Sequence, residues 1–220
     1  MLWEGRALEC EPVAEPHWPA AVALVACVAL YGALPGRLTI GPRWLLPVMV
    51  ALPVIPLAWQ RGRSDESARW ARRAVLALVA LTTMANIGSV ALLVHHLLRG
   101  GVTGGRSLIY SAIAIWLTNV ILYALWFWEI DRGGPDARAR GGELPIDLQF
   151  PQMENPRLAP AKWSPRFVDY LYTAYANASS FAPADAMPLT LRMKALFVSE
   201  SALSLITIAI VASRAVNILR

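Results

Sequence analysis

Glu200 is the residue of this 220-residue chain whose position asks most for a chemical reason. It stands in an apolar run, L-F-V-S-E-S-A-L-S-L-I-T-I-A-I-V-A-S, of a length that suits a bilayer crossing. An ionisable side chain at the centre of a bilayer is unfavourable by at least about 2.5–3.5 kcal/mol, and such groups mark ion or proton paths by default. Glu200, Ser204, Thr207, Val211 and Arg214 fall on one face of a helix. A second stripe reads Thr82, Asn86, Ser89, Leu93 and His96, and a third run carries Asn119 and Tyr123. Polar faces in hydrocarbon must meet one another, water or another subunit. Two readings stay open. One is a hydrated path lined by Glu200, Ser204 and Thr207, with Glu200 as a cation or proton site. The other is helix–helix adhesion, worth roughly 0.6 kcal/mol per hydrogen bond.

Other polar groups point less far. Ala85, Gly88 and Ser89 form a small-residue patch suited to close helix contact. His95 and His96 are adjacent, so they face different sides of a helix and read as an interfacial pair. Glu129, Asp131 and Arg132 close a helix and read as local surface pairs, which contribute little. The two cysteines, Cys10 and Cys27, show no metal-binding spacing and no disulfide framework. There is no G-x-S-x-G, P-loop, H-E-x-x-H or G-x-G-x-x-G. The expectation is therefore no enzyme, no catalytic residue, no cofactor and no metal. The net charge of +5 comes from arginines beside apolar runs, which suits anionic lipid better than nucleic acid.

The elements that must hold these groups follow from composition. Apolar residues make up 56% of the chain and charged ones 16%, against about 25% charged in soluble domains. Mean hydropathy is +0.45. The class is an integral membrane protein. A spanning helix takes about 20 apolar residues, with a range of about 17–25. Five stretches qualify: 18–34, 44–59 (with Pro47, Pro53 and Pro56 bending it), 74–94, 107–128 and 195–213. Trp18, Trp44, Trp59, Trp70, Trp126 and Trp128 lie at or near span ends, where indole prefers the headgroup boundary. Residues 1–17 hold Glu4, Glu9, Glu11 and Glu15 against Arg6 and form an acidic tail, not a secretory signal.

The tail, the loop around Arg61–Arg73 and the segment 129–194 carry one, five and eight arginines and lysines, 14 against six on the opposite side, which places the amino terminus in the cytoplasm by the positive-inside rule. Residues 131–164 are rich in proline and glycine and read as a long loop. A helix follows at 165–180, with Ser164 able to cap it and Pro165 suited to its first turn. It is too short to cross. It lies in the interface or dips in and returns through residues 179–185, which protein or water must then surround.

The run D-Y-L-Y-T-A-Y-A-N-A-S-S-F-A-P-A-D-A-M-P, ahead of a long apolar helix, resembles the pore helix, filter and inner helix of the two-helix potassium-channel superfamily. Asp169 and Tyr172 match the start of that module. Asn177, Ser179 and Ser180 fall on its threonines, and Asp185 and Pro188 match its closing aspartate and proline. Ala182, Pro183 and Ala184 replace its G-Y-G, whose glycines turn the filter carbonyls inward. The resemblance thus implies a degenerate pore module without potassium selectivity. In layout the chain is similar to bacterial five-helix membrane proteins with such an end. The resemblance also implies a tetramer and places the pore loop outside the cell, opposite to the charge count.

The expected architecture is all-α and polytopic: an acidic tail (1–17), a four-helix region (18–130), a loop (131–164), and a pore-like helix, degenerate filter and last crossing (165–220). The expected function is a channel-like homo-oligomer in the bacterial inner membrane. Glu200, Ser204 and Thr207 would line the pore, Ser179, Ser180, Phe181 and Asp185 would form the filter, and Asp169, Tyr172 and Asn177 the pore helix. The alternatives are a non-conducting accessory subunit of a larger membrane complex and, with less support, a small proton-coupled transporter. The expected partners are the lipid bilayer and either further copies of the chain or the subunits of a membrane complex, with no nucleic acid.

Overall fold

A computed structural model describes residues 15–39, 65–98, 105–141, 144–155, 157, 159–160, 163–180 and 186–218. The expected crossing at 44–59 and the filter residues Phe181 and Asp185 lie outside the described residues. The long helices are α1 (Trp18–Ala33), α2 (Asp65–Leu98), α3 (Gly105–Ile130), α6 (Phe167–Ser180) and α7 (Leu191–Ile218). Between α3 and α6 lie the short helices α4 (Pro135–Arg140) and α5 (Pro151–Glu154) and the strand β1 (Leu148–Gln149). A second strand, β2 (Met187–Pro188), precedes α7.

Among the described residues, three helices are long and apolar enough to cross a membrane: α2, α3 and α7. This fits an integral membrane protein. Helix α1 is apolar but has 16 residues, short of the usual crossing. Pro19 sits in its first turn, where a missing N–H is harmless.

Helix α3 is the hub and packs against α1, α2, α6 and α7. Its centre is therefore enclosed: Ala112, Ile115, Leu122, Ala124 and Phe127 have no exposed surface. Two small residues of α6, Ala174 and Ala178, are equally buried and let that helix approach closely. Phe127 of α3 stacks on Phe197 of α7 at 4.7 Å between centroids. Large apolar side chains remain on the outside, among them Val198, Leu205 and Ile206 of α7. An outward apolar surface on the longest helices is what lipid requires.

The loop expected at 131–164 is folded at its start. Asp131, just past α3, has no exposed surface. Its Oδ1 accepts the N–H groups of Asp147 and Leu148, each at 3.2 Å, and its Oδ2 accepts the Tyr170 hydroxyl at 2.7 Å. Asp147 is buried as well and takes the Arg192 guanidinium at 2.7 and 2.6 Å, the Thr190 hydroxyl at 2.6 Å and the Arg132 N–H at 3.1 Å. These bonds tie β1 beside β2 in an antiparallel pair, Leu148 opposite Pro188. The reading of Glu129, Asp131 and Arg132 as a surface group is thereby corrected. Glu129 and Asp131 are 4% and 0% exposed, because the chain folds back over the end of α3.

The end of α3 shows why. The last carbonyls of a helix lack partners within it. Here Arg72 of α2 donates to the Glu129 carbonyl at 2.8 Å, and Arg138 of α4 donates to the Trp128 and Asp131 carbonyls, both at 2.8 Å. Cations at this end also oppose the helix dipole. The tail contributes Glu15, whose carboxylate accepts the Trp128 indole N–H at 2.6 Å and the Phe167 N–H at the start of α6. Trp128, expected at the headgroup boundary, is 2% exposed. Its N–H is satisfied by Glu15 instead of by water.

Candidate functional site

The local sequence of α7 puts Glu200, Ser204 and Thr207 on one face, and the packing turns that face inward. They are 0%, 0% and 2% exposed. Most of what packs against α7 is α3 and α6 of the same chain, with a smaller contact from α2. A carboxylate is stable there only with polar neighbours, and those neighbours come from the two covering helices.

From α6, Asn177 donates its amide to Glu200 Oε2 at 2.7 Å and to the Phe197 carbonyl at 3.1 Å. Its own oxygen accepts the Ser201 hydroxyl at 3.1 Å. From α3, Asn119 donates to Ser204 Oγ at 3.0 Å and to the Glu200 carbonyl at 3.3 Å. One helical turn away, the Tyr123 hydroxyl donates to Ser199 Oγ at 2.8 Å. Glu200 Oε1 and Asn119 Oδ1 have no hydrogen-bond partner among the described residues. No ion pair to Glu200 occurs among them either. The centre is a single carboxylate held by neutral amides and hydroxyls.

Several other hydroxyls of the bundle serve their own helices. Thr207, Thr82, Ser89 and Thr118 each donate to the carbonyl four residues earlier, at 2.7 to 3.1 Å. Asn86 is buried, and its amide nitrogen has no partner among the described residues.

The pore-helix candidates divide. Asp169 lies in the first turn of α6 and accepts the Arg166 N–H at 2.7 Å, a local N-terminal cap. Tyr172 is exposed, as is Tyr175 beside it, which meets Trp116 edge-on at 5.8 Å. Asn177 is buried at the Glu200 centre. Ser179 is exposed and bonds back to the Tyr175 carbonyl at 2.7 Å. Ser180 ends α6, and its side chain lies outside the described residues together with Phe181 and Asp185. His95 and His96 meet edge-on at 5.9 Å at the end of α2.

Sequence reasoning did not pair Asn177 with Glu200, nor name Ser199, Ser201, Asp147 or Arg192. Asp147 carried a usable signal: an acid between Ile146 and Leu148 in an otherwise polar stretch. Outside the crossings, burial works against the Asp147 carboxylate. Hydrogen bonds from Arg192, Thr190 and the Arg132 N–H, with the charge of Arg192, outweigh it and hold the group below the usual carboxylate range. His17 is moved upward by its hydrogen bond to Asp136, at 3.2 Å, against an opposing contribution from burial. Among the described residues no group of acidic, histidine or cysteine side chains is suited to a metal ion. No protein-family model, curated protein or solved structure matches the chain.

Proposed function

We propose that the chain is a channel-like, multi-pass protein of the bacterial inner membrane that passes a small cation or a proton by way of Glu200. In this reading α1 and the segment 44–59 complete five crossings with α2, α3 and α7. Helix α6 is a short re-entrant element whose turn, 179–185, forms the constriction, and copies of the chain assemble as a homo-oligomer. The observation that carries the reading is a fully buried carboxylate with one oxygen bonded to Asn177 and the other unpartnered. Adhesion alone would be served by a neutral amide, which avoids the energetic burden of an acid in hydrocarbon. The polar seam faces α3 and α6, so the path runs within each subunit.

A second reading is a non-conducting accessory subunit. The burial of Thr82, Ser89, Thr118 and Thr207, whose hydroxyls donate to their own helices, favours it, because polar groups packed between helices serve adhesion. Proteoliposome flux separates the two. The channel-like reading expects proton or alkali-cation flux that Glu200→Gln abolishes. A tight membrane with wild-type protein, and co-purification with other chains, would replace it with the accessory reading.

A further inference from the structure

Helix α2 has 34 residues, about 50 Å at 1.5 Å per residue, against about 30 Å of hydrocarbon. It overruns the crossing by about three to four turns. Two contacts put its first turns level with the end of α3. Arg72 reaches the Glu129 carbonyl at 2.8 Å, and His17, just ahead of α1, meets the Trp128 ring at 5.7 Å. Beside these contacts stand two indoles, Trp18 and Trp70, 66% and 65% exposed. Exposed indoles settle in the headgroup layer, so the end of α3 and the first turns of α2 lie at that layer.

These turns of α2 have two sides. Arg72 points inward, onto α3. Arg69 and Arg73, four residues apart and so on one face, are exposed. The Arg73 guanidinium lies 5.7 Å from the centre of the Trp70 ring, a cation–π contact. Neither arginine forms an ion pair among the described residues. Residues 61–73 hold five arginines against Asp65 and Glu66, so a surplus of positive charge is local to this end. The same face continues down the crossing as Ala77, Met84, Ile87 and Ala91, all exposed and apolar. A face that is apolar along the crossing and basic at its end has the polarity of an anionic phospholipid. A soluble acidic protein or a nucleic acid would match the arginines and leave the apolar stripe bare. Guanidinium groups meet phosphate with paired N–H donors, and an indole N–H is one more donor beside them.

We propose that Arg69, Trp70 and Arg73 form a headgroup site for an anionic phospholipid whose acyl chains lie along the apolar stripe below them. The site is on the lipid-facing side of α2, apart from the Glu200 seam, and stands whether or not the chain conducts. A zwitterionic lipid brings the same phosphate with a cation attached, so the arginines favour the anionic one, by about fivefold in affinity for each arginine near the membrane surface.

Native mass spectrometry of the purified full-length protein, released from mild detergent after titration with phosphatidylglycerol or phosphatidylcholine, tests this by resolving each bound lipid. The first phosphatidylglycerol is expected to bind severalfold more tightly than the first phosphatidylcholine. Arg69→Gln and Arg73→Gln should each weaken it about fivefold, whereas Arg140→Gln, an exposed arginine of α4, should leave it unchanged. Wild-type protein that binds the two lipids alike overturns the site, and that result needs no variant to fold. Undiminished phosphatidylglycerol binding in the Arg69→Gln/Arg73→Gln double variant overturns it as well. An equal loss in Arg140→Gln would assign the preference to diffuse charge and remove the local site. Displacement of phosphatidylglycerol by inorganic phosphate, but not by chloride of equal ionic strength, would give the arginines to a soluble anion and overturn the lipid.

Discussion

Asn177 and Glu200 lie 23 residues apart on different helices, and a 2.7 Å hydrogen bond joins the amide of one to the carboxylate of the other. This bond couples α6 to the centre of α7. It places the one acid of α7 against α6, on the side away from the exposed Tyr172. Any shift of α6 along α7 must break it.

Asp131 is expected to be the most sensitive residue outside the crossings. Asp131→Ala leaves the Asp147 and Leu148 N–H groups and the Tyr170 hydroxyl without their acceptor, a loss of about 3–5 kcal/mol for removing one member of a buried charged network. Thermal melting in mild detergent should show a large drop. Arg140→Ala, at an exposed position of α4, should stay within about 0.5 kcal/mol of wild type. Equal effects of the two would refute the role given to Asp131.

Acid should loosen the same region through Asp147. A carboxylate held below its unfolded value of about 3.9 contributes stability that is complete above that value and fades as pH falls through the lower folded value. Asp147 is such a group. The melting temperature of wild type should therefore decline below about pH 4 more steeply than that of Asp147→Asn, which has no charge to lose there. Parallel acid limbs in the two proteins would count against the Arg192–Asp147 bridge.

Gly134 follows α3 with φ of +93°, and an added Cβ would stand 3.1 Å from both Arg72 Nε and the Glu129 carbonyl. The left-handed backbone and the close approach both require glycine. Gly134→Ala should lower stability by about 1–3 kcal/mol and expose the end of α3 to proteolysis in the α4 segment. Protease resistance equal to wild type would show that the cap formed by Arg72 and Arg138 does not depend on this turn.

Helices α2, α3 and α7 were legible because hydrocarbon thickness dictates a run of about 20 apolar residues; the run at 18–34 gave the same signal, yet its helix has 16 residues. The inward face of Glu200, Ser204 and Thr207 was legible from spacing alone, since helical period fixes which residues share a side. Its partners were not, because the pairing of α6 with α7 is a tertiary fact that small residues such as Ala174 and Ala178 permit without announcing. The fold of the 131–155 segment was hidden for a related reason. Its stability comes from bonds to Asp131 and from Arg192, 45 residues beyond Asp147, whereas its prolines and glycines read locally as loop. Trp128 does stand near the end of α3, but the partner of its N–H was not legible, because Glu15 lies 113 residues earlier in the chain.

The account turns on Glu200 being a working ionisable group and not an inert strut. Infrared difference spectroscopy of the protein in lipid bilayers, stepped through pH and compared with Glu200→Gln, reads that carboxyl directly. The account predicts a protonated-carboxyl stretching band that shifts in heavy water, disappears as pH rises and is missing from the variant. A difference spectrum identical in wild type and Glu200→Gln would contradict it.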